Sequence, residues 1–168
     1  SKIVWGENTD TPLSIAIKLS EGAQLPYYAT EGAAAADLTC MTDVTLIPNV
    51  VEMIETGVSL SIPSFLYGQV EARSSFGKRG IITHPGMIDS DYRGEIKVLL
   101  TNITNEKINI SKGERIAQIL FLPCVKPKFQ VVDDLDETER GSGGFGSTNN
   151  EPDKENDTVE PPKADSEA

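Results

Sequence analysis

The chain has 168 residues, which suits one domain with a substantial core and is too short to divide comfortably into two. Its formal net charge is −11, so a general basic face for nucleic acid is excluded, and any anionic ligand must be held by a local cluster of cations. Cys40 and Cys124 are too few for a disulfide framework and lack zinc-ligand spacing, which indicates two reduced thiols.

Short apolar runs of strand length recur along the chain, separated by turn residues. In chain order they are LSIAIKL (13–19), DVTLIP (43–48), VSLSIP (58–63), YGQVEA (67–72), EIKVLLTNI (95–103), INI (108–110), IAQILFLP (116–123) and FQVV (129–132). No long segment keeps a helical period, and the alanines at 33–36 are too few to nucleate a helix alone. The pattern predicts an all-β domain, either a sandwich or a barrel.

The stretch IITHPGMID (81–89) predicts a hairpin. Pro85 fixes φ and Gly86 tolerates a positive φ, which together fit a type II turn. His84, the only histidine, lies at this turn. A catalytic or metal-binding role for it is an alternative, but a solvent-facing turn residue is the favoured interpretation.

All five arginines fall in the middle and late parts of the chain, beside glycine, serine or acidic residues: Arg73, Arg79, Arg93, Arg115 and Arg140. Because guanidinium grips phosphate oxygens two at a time, we expect two or three of them to meet a phosphate. The alternative is surface or intersubunit ion pairs. The stretch ARSSFGKRG (72–80) follows a strand, and it is either an anion-binding loop or an ordinary polar turn.

Two aspartates stand two residues apart in GMIDSDYRGE (86–95). Asp89 and Asp91 lie on the same side of an extended chain, with Arg93 close in sequence. A carboxylate beside an apolar hairpin suits a general base for water, and a salt-bridged strand end is the equally weighted alternative.

The glycine-rich stretch RGSGGFGST (140–148) matches the spacing of a dinucleotide fingerprint, but no βαβ unit surrounds it. It also lacks the lysine that a P-loop places before its hydroxyl residue. We predict a mobile arm that closes over a nucleotide, since ordered backbone needs compensating ligand contacts. Phe145 would stack on the base, and Arg140, Ser147 and Thr148 would meet phosphates.

Five segments in this order resemble the motifs of the trimeric, all-β dUTPases: GAAAADL (32–38), ARSSFGKRG, GMIDSDYRGE, GERIAQ (113–118) and RGSGGFGST. The resemblance implies a jelly-roll-like homotrimer whose active sites are each assembled from three subunits. It implies Mg²⁺-dependent hydrolysis of dUTP to dUMP and pyrophosphate, which keeps uracil out of DNA and supplies dUMP for dTMP synthesis. The short spacing of the second and third motifs and the stretch HPGMIDSDYRGEIKV are most similar to retroviral or other viral members.

The resemblance also implies roles for individual residues. Asp89 would deprotonate the water that attacks the α-phosphorus, and Tyr92 would pack on the deoxyribose and leave no room for a 2′-hydroxyl. Asp37 would reach Mg²⁺ through water. Backbone groups of 81–88 would read uracil, with Thr83, Gly86 and Ile88 in the binding set. The other implied substrate-binding residues are Arg73, Ser74, Ser75 and Gln118 on the phosphates and Arg140, Phe145, Gly146, Ser147 and Thr148 on the arm.

The chain departs from the family pattern at two positions. Ala35 and Asn149 stand where glycine is usual. A positive φ at Ala35 would strain the backbone, whereas asparagine tolerates the left-handed region.

Four segments make up the predicted organisation of the chain. Residues 1–12 form an N-terminal extension, 13–135 the β-barrel domain, 136–149 the closing arm, and 150–168 an acidic disordered tail. No apolar run is long enough to span a membrane and no signal peptide is visible, so we expect a soluble protein of the cytoplasm or nucleus, or of the virion for a viral member.

Two other functions compete with dUTP hydrolysis. A dCTP deaminase of the same fold would need a glutamate on the strand after DYRGE, but that strand reads IKVLLTN. A non-catalytic module that binds a partner, for example through the acidic tail, is the second alternative. We expect dUTP as the ligand and neither nucleic acid nor a membrane as a partner.

Overall fold

The computed structural model describes residues 13–144, so the predicted N-terminal extension and acidic tail lie outside the described residues. The chain divides into two compact units, the first ending at Pro127 and the second beginning at Lys128. Every strand and the one helix of the described part belong to the first unit. No helix in residues 13–144 is long and apolar enough to cross a bilayer.

Eleven strands of the described residues form four antiparallel sheets, which confirms the all-β prediction. The four-stranded sheet has the order β2 (Ala36–Thr39), β11 (Arg115–Pro123), β6 (Leu66–Glu71) and β8 (Gly86–Ile88). The three-stranded sheet has the order β4 (Val51–Glu55), β9 (Lys97–Asn102) and β7 (Ile81–Thr83). Two further pairs are β1 (Ala16–Leu19) with β5 (Val58–Ser61), and β3 (Val44–Leu46) with β10 (Ile108–Ile110).

The sheets enclose one hydrophobic core. The sequence of β9 illustrates how a strand contributes alternate residues to this core. Val98, Leu100 and Asn102 are buried, whereas Lys97 and Leu99, which alternate with them, are exposed, as the two-residue period of a strand requires. Buried residues of β2, β5, β6 and β11 complete the same cluster. This core fixes the four-stranded sheet, whose strands position the candidate site.

Three strand predictions differ from the structure. Residues 129–132 form no strand, and Phe129 and Val131 are almost fully exposed, because an apolar run becomes a strand only where another strand accepts its hydrogen bonds. The strands β2 and β4 were not predicted. All four residues of β2 are buried, so it has no alternation and follows a helix-like run of alanines, whereas glutamates interrupt the apolar pattern of β4.

The predicted hairpin at 81–89 is also wrong, because its two strands join different sheets. β7 pairs with β9 and β8 pairs with β6. The His84 N–H donates to the Leu99 carbonyl (2.9 Å) and holds the chain on β9 until Pro85, which has no N–H to offer. Gly86 lies within β8 and is absent from the positive-φ glycines, so the type II turn does not form.

His84 is half-buried rather than solvent-facing. Its Nε2 atom lies 2.7 Å from the Thr101 hydroxyl on β9. The ring therefore extends the junction between β7 and β9.

The stretch ARSSFGKRG contains a short helix, α1 (Ser74–Lys78), that the sequence did not predict. Phe76 anchors this helix in the core with 1% exposure, and Arg79 lies over the Phe76 ring at 5.1 Å from its centroid. Ala35 does not have a positive φ, since Asn49 is the only non-glycine residue of the described chain that does. The substitution at Ala35 therefore carries no left-handed strain.

Both cysteines are free, as predicted. Cys40 is buried and its thiol donates to the Ser111 carbonyl (2.9 Å). Burial raises the pKa of this thiol above its ordinary value. Cys40 is consequently a structural residue rather than a reactive one.

Candidate active site

One group of predicted site residues gathers around Asp37, and we call it the Asp37 group: Asp37, Arg73, Ser75, Arg115 and Gln118. The Asp37 side chain is 8% exposed and accepts from both arginines, with Oδ1 2.9 Å from Arg73 Nε and Oδ2 3.2 Å from Arg115 Nη1. Arg73 Nη1 also donates to the Ser75 hydroxyl (3.3 Å) and to the Arg115 carbonyl (3.2 Å). The carboxylate thus holds two guanidinium groups side by side.

Strand register explains why residues distant in sequence meet here. β11 lies between β2 and β6, so Gln118 faces Asp37 on one side and Glu71 on the other. Arg73 follows β6 in extended conformation at the start of α1. The Gln118 amide donates to the Ala72 carbonyl (2.8 Å) and ties this junction to β11.

The Asp37 group has an excess of positive charge in a chain that is negative overall. One carboxylate balances one of its two guanidinium groups, and of the five N–H donors that each guanidinium has, Arg73 uses three and Arg115 uses one within residues 13–144. Ser74 and Ser75 are exposed beside them. Guanidinium N–H groups that remain available next to hydroxyl groups suit the oxygens of a phosphate chain.

The donor set around Asp37 suits a magnesium ion only through water. Each carboxylate oxygen accepts one arginine bond and keeps a free acceptor position for a metal-bound water. Residues 13–144 contain no group of three or more His, Cys, Asp or Glu side chains that could hold a metal ion. A single carboxylate that contacts the ion through water fits Mg²⁺, which keeps several waters and is bound in many proteins largely through substrate phosphates.

A second group lines a pocket of about 330 Å³ between β4, β8 and β9, which we call the Asp89 pocket. Three predicted site residues, Ile88, Asp89 and Tyr92, contribute to it. Its remaining walls come from Met53, Met87, Glu95, Ile96, Lys97 and Leu99. The pocket therefore combines apolar side chains with three charged residues, of which Asp89 and Lys97 are exposed and Glu95 is half-buried, as small-molecule sites combine apolar walls with a few polar groups.

A turn just after β8 carries Asp89 and Tyr92. The Tyr92 N–H donates to the Asp89 carbonyl (3.1 Å), and the Tyr92 hydroxyl donates to the Glu95 carbonyl (3.0 Å). Gly94 makes room for the folded-back ring, because a Cβ at this position would lie 2.6 Å from Tyr92 Cζ.

Arg93 does not form the salt bridge that the alternative interpretation requires. Its Nη1 donates to the carbonyls of Ser90 (2.7 Å) and Tyr92 (3.1 Å). No ion pair of the described residues includes Asp89 or Asp91. The Asp89 carboxylate is therefore exposed at the pocket rather than neutralised at a strand end.

Several other predicted site residues lie in neither the Asp37 group nor the Asp89 pocket. Thr83 is 7% exposed and its hydroxyl is shielded without a hydrogen-bond partner in the described chain, so only its backbone is available to a ligand. Gly86 packs towards Val70 within β8. Arg140 lies in the second unit, where its Nε donates to the Gly143 carbonyl (2.9 Å). The predicted arm residues Phe145, Gly146, Ser147 and Thr148 lie outside the described residues.

The Asp37 group and the Asp89 pocket lie at opposite ends of β6. Ile88, the residue before Asp89, pairs with Gly68, and Arg73 follows five residues further along the chain. At strand geometry this separation is about 16 Å. No hydrogen bond or ion pair between described residues joins the two groups. One chain therefore does not bring all the predicted site residues together.

The family resemblance assigns no site role to Arg115 or Glu95, although Arg115 is one of the five candidate phosphate-binding arginines. Arg115 lies within GERIAQ, but its role depends on the pairing of β11 with β2, which one sequence does not reveal. Glu95 ends the motif GMIDSDYRGE and lines the Asp89 pocket. Arg79 was a candidate phosphate ligand, but it pairs with Glu114 and donates to the Asn109 carbonyl (3.0 Å).

Comparison with known proteins gives a consistent answer. The family model described as dUTPase matches residues 21–149. The deoxyuridine 5'-triphosphate nucleotidohydrolase of Cutibacterium acnes is 48% identical over 128 residues, which cover 74% of this chain and 84% of that protein. The protein of the same name from Paramecium bursaria Chlorella virus 1 is 43% identical over 132 residues, covering 78% and 94%. Relatives thus come from cellular organisms and viruses alike, and the viral type stays a prediction.

Solved structures agree with the sequence relatives. The dUTPase of Staphylococcus bacteriophage 80alpha with dUpNHpp superposes with a TM-score of 0.75 at 29% identity, over 80% of this chain and 97% of that one. The dUTPase of phage phi11 of S. aureus, for which a structural Mg(II) ion is described, has the same fold at 22% identity and a TM-score of 0.68. Its match covers 73% of this chain and 98% of that one. This chain belongs to the dUTPase family.

Proposed function

We propose that this chain hydrolyses dUTP to dUMP and pyrophosphate, with Asp89 as the general base. The observation that carries the proposal is the Asp89 pocket, where a carboxylate without an ion-pair partner among the described residues, an aromatic ring and apolar side chains line an open space of about 330 Å³. The family membership of the chain supports the same activity. Such an enzyme limits uracil in DNA and supplies dUMP for dTMP synthesis.

The Asp89 pocket binds the nucleoside in this proposal. Backbone groups of residues 81–88 read the edge of uracil, and cytosine is rejected because its reversed donors and acceptors would leave buried groups unpaired. The Tyr92 ring packs on the deoxyribose. Asp89 accepts a proton from water, whose oxygen attacks the α-phosphorus while the bond to the bridging oxygen of pyrophosphate breaks.

The Asp37 group binds the triphosphate. Arg73, Ser74, Ser75 and Gln118 would neutralise and orient the phosphate oxygens, which is most of what phosphoryl transfer asks of a protein. Asp37 would accept a hydrogen bond from a water on Mg²⁺ and hold both arginines in place. The ion would supply charge stabilisation at the phosphates.

The complete site requires more than one copy of the chain. The α-phosphate must lie close both to the water at Asp89 and to the cations that neutralise it, whereas Ile88, next to Asp89, is about 16 Å from Arg73 at strand geometry. We therefore infer a homotrimer in which neighbouring copies contribute the two groups. The outer face of the β4–β9–β7 sheet supports this association, because Val51 and Ile82 are 56% and 46% exposed there.

The arm, residues 136–149, would then close over the bound nucleotide of a neighbouring copy. Arg140 is proposed to meet a phosphate and Phe145 the base, with Gly146, Ser147 and Thr148 completing the closure. Arg140 is exposed, which leaves its guanidinium accessible to a ligand.

The test is pyrophosphate release in the presence of Mg²⁺ from dUTP, dTTP, dCTP and UTP, with the intact chain and with Asp89→Asn. We expect turnover of dUTP alone, and a loss of at least about a hundredfold in kcat for Asp89→Asn, because the amide cannot accept the proton. A matched control is Asp91→Asn, which changes a neighbouring exposed aspartate that does not line the pocket.

Two outcomes would contradict the proposal. An Asp89→Asn variant with normal kcat would exclude Asp89 as the base. Absence of dUTP turnover by the assembled protein would favour a non-catalytic module that binds a nucleotide or a protein partner.

A further inference from the structure

The loop between β4 and β5 is hydrogen-bonded to the segment that follows the Tyr92 turn. Thr56 donates its hydroxyl to the Ile96 carbonyl (2.5 Å), and the Ile96 N–H donates to the Val58 carbonyl (2.8 Å). Between these two bonds, the Gly57 N–H donates to the Glu95 carboxylate at Oε1 (2.7 Å). Glu95 therefore supplies the one side-chain acceptor that this segment offers to the loop.

The Gly57 amide is held in a fixed direction. Gly57 has a φ of +69°, and a Cβ at this position would overlap the side chains of Met41 and Ala23. Its carbonyl accepts the Ser20 N–H (2.8 Å). Because the loop is restrained on both sides, its amide is a firm anchor, and a hydrogen bond to a charged carboxylate is among the stronger kinds.

Glu95 connects this anchor to the turn at the pocket. Its backbone carbonyl accepts the Tyr92 hydroxyl (3.0 Å), and the Tyr92 N–H closes the turn on the Asp89 carbonyl (3.1 Å). A continuous chain of contacts therefore runs from Gly57 through Glu95 and Tyr92 to Asp89.

We propose that Glu95 is a positioning residue that fixes the Tyr92 ring and so sets the discrimination between deoxyribonucleotide and ribonucleotide. The proposal rests on the proposed function, in which the Tyr92 ring excludes the 2′-hydroxyl. Exclusion of one hydroxyl depends on the ring staying within a fraction of an ångström of its place, since a small retreat opens room for an oxygen atom.

The proposal predicts a change in selectivity. Glu95→Ala should lower the ratio of kcat/KM for dUTP over UTP by about tenfold, the loss expected when a charge-assisted hydrogen bond no longer restrains the ring. Glu95→Gln should keep this ratio within about threefold of the unmodified protein, because its amide oxygen can still accept the Gly57 N–H. An unchanged ratio in Glu95→Ala overturns the proposal, and so does a Glu95→Gln variant as impaired as Glu95→Ala.

The matched control is Asn109→Ala, which removes a side-chain hydrogen bond to Thr45 (2.8 Å) between β3 and β10. A general loosening of the fold would change selectivity in both variants. We expect an unchanged ratio in Asn109→Ala, and an equal fall in both variants would overturn a specific role for Glu95.

A second measurement does not depend on activity. In Glu95→Ala the Gly57 amide should exchange its hydrogen with solvent about tenfold faster, whereas in Asn109→Ala its exchange should be unchanged. If the unmodified protein does not turn over dUTP, the proposed function fails while this exchange result still decides whether Glu95 anchors the turn. Unchanged exchange of the Gly57 amide in Glu95→Ala overturns the anchor itself.

Discussion

At the scale of single residues, Asp37 is the nearly buried carboxylate that pairs with two arginines. Its carboxylate is nearly buried and accepts from Arg73 and Arg115, whose side chains are 20% and 42% exposed. The two guanidinium groups repel each other when no anion lies between them. The Asp37 carboxylate thus offsets the repulsion between the two guanidinium groups in the absence of the proposed phosphate ligand.

We expect Asp37→Asn to lower the free energy of unfolding by about 1–3 kcal/mol, because the neutral amide leaves two adjacent guanidinium groups uncompensated. Urea unfolding at a fixed protein concentration measures this loss. The control is Glu55→Gln, which removes one partner of the exposed Lys97–Glu55 pair (3.3 Å) and should cost less than about 1 kcal/mol. Equal losses in both variants would contradict a special role for Asp37.

Residue types and motif order predicted much of this site, and geometry explains the rest. Asp89, Tyr92 and Ile88 were expected together and line one pocket. The pairing of Asp37 with Arg115 was not expected, because the two residues are 78 positions apart and lie on strands that align only in the folded sheet. Burial of the Thr83 hydroxyl likewise depends on which sheet β7 joins.

At the scale of elements, β9 is the central strand of its sheet, with β4 on one side and β7 on the other. Leu100 on its inner face is completely buried. We expect Leu100→Ala to cost about 2–5 kcal/mol of unfolding free energy, because the rigid sheets on either side leave a cavity.

Thermal or urea unfolding tests this expectation against Ile103→Ala, a residue just beyond β9 that is 56% exposed. The control should change the free energy of unfolding by about 0.5 kcal/mol or less. A similar cost at both positions would mean that β9 does not form the packed centre of the sheet.

Strands with clear alternation of apolar and polar residues were predictable from the sequence. Segments whose structure depends on which distant strand they pair with were not. The alternating residues of β6 and β9 were recognised from the sequence, although their ends shifted by one or two positions. The stretch 81–89 contains two strands as expected, but the hydrogen bond from His84 to Leu99 commits the first to a different sheet from the second. Local turn residues do not encode that choice of partner.

At the scale of the whole molecule, the arrangement of the two groups along β6 makes a prediction about mixed assemblies. Arg73→Ala and Asp89→Asn should each be inactive alone. When the two are unfolded together and refolded, about a quarter of the sites should receive an intact Arg73 and an intact Asp89 from different copies. Pyrophosphate release from dUTP measures the recovery.

Each variant refolded by itself is the control for this experiment, and neither should regain activity. Size-exclusion chromatography with light scattering checks that the mixed sample is trimeric. Mixed trimers without any recovered turnover would indicate that one chain supplies both groups to the same site.

The placement of the two groups at opposite ends of β6 has a consequence for heredity. With such a shared site, a copy with substitutions in both the Asp37 group and the Asp89 pocket would inactivate more than one catalytic centre in every assembly that it enters. Its harm would extend to the healthy copies beside it, so a mutant allele of this kind would behave as dominant over the normal one. Dilution that dissociates the assembly would also lower the activity, because each isolated chain would hold two half-sites that belong to different catalytic centres.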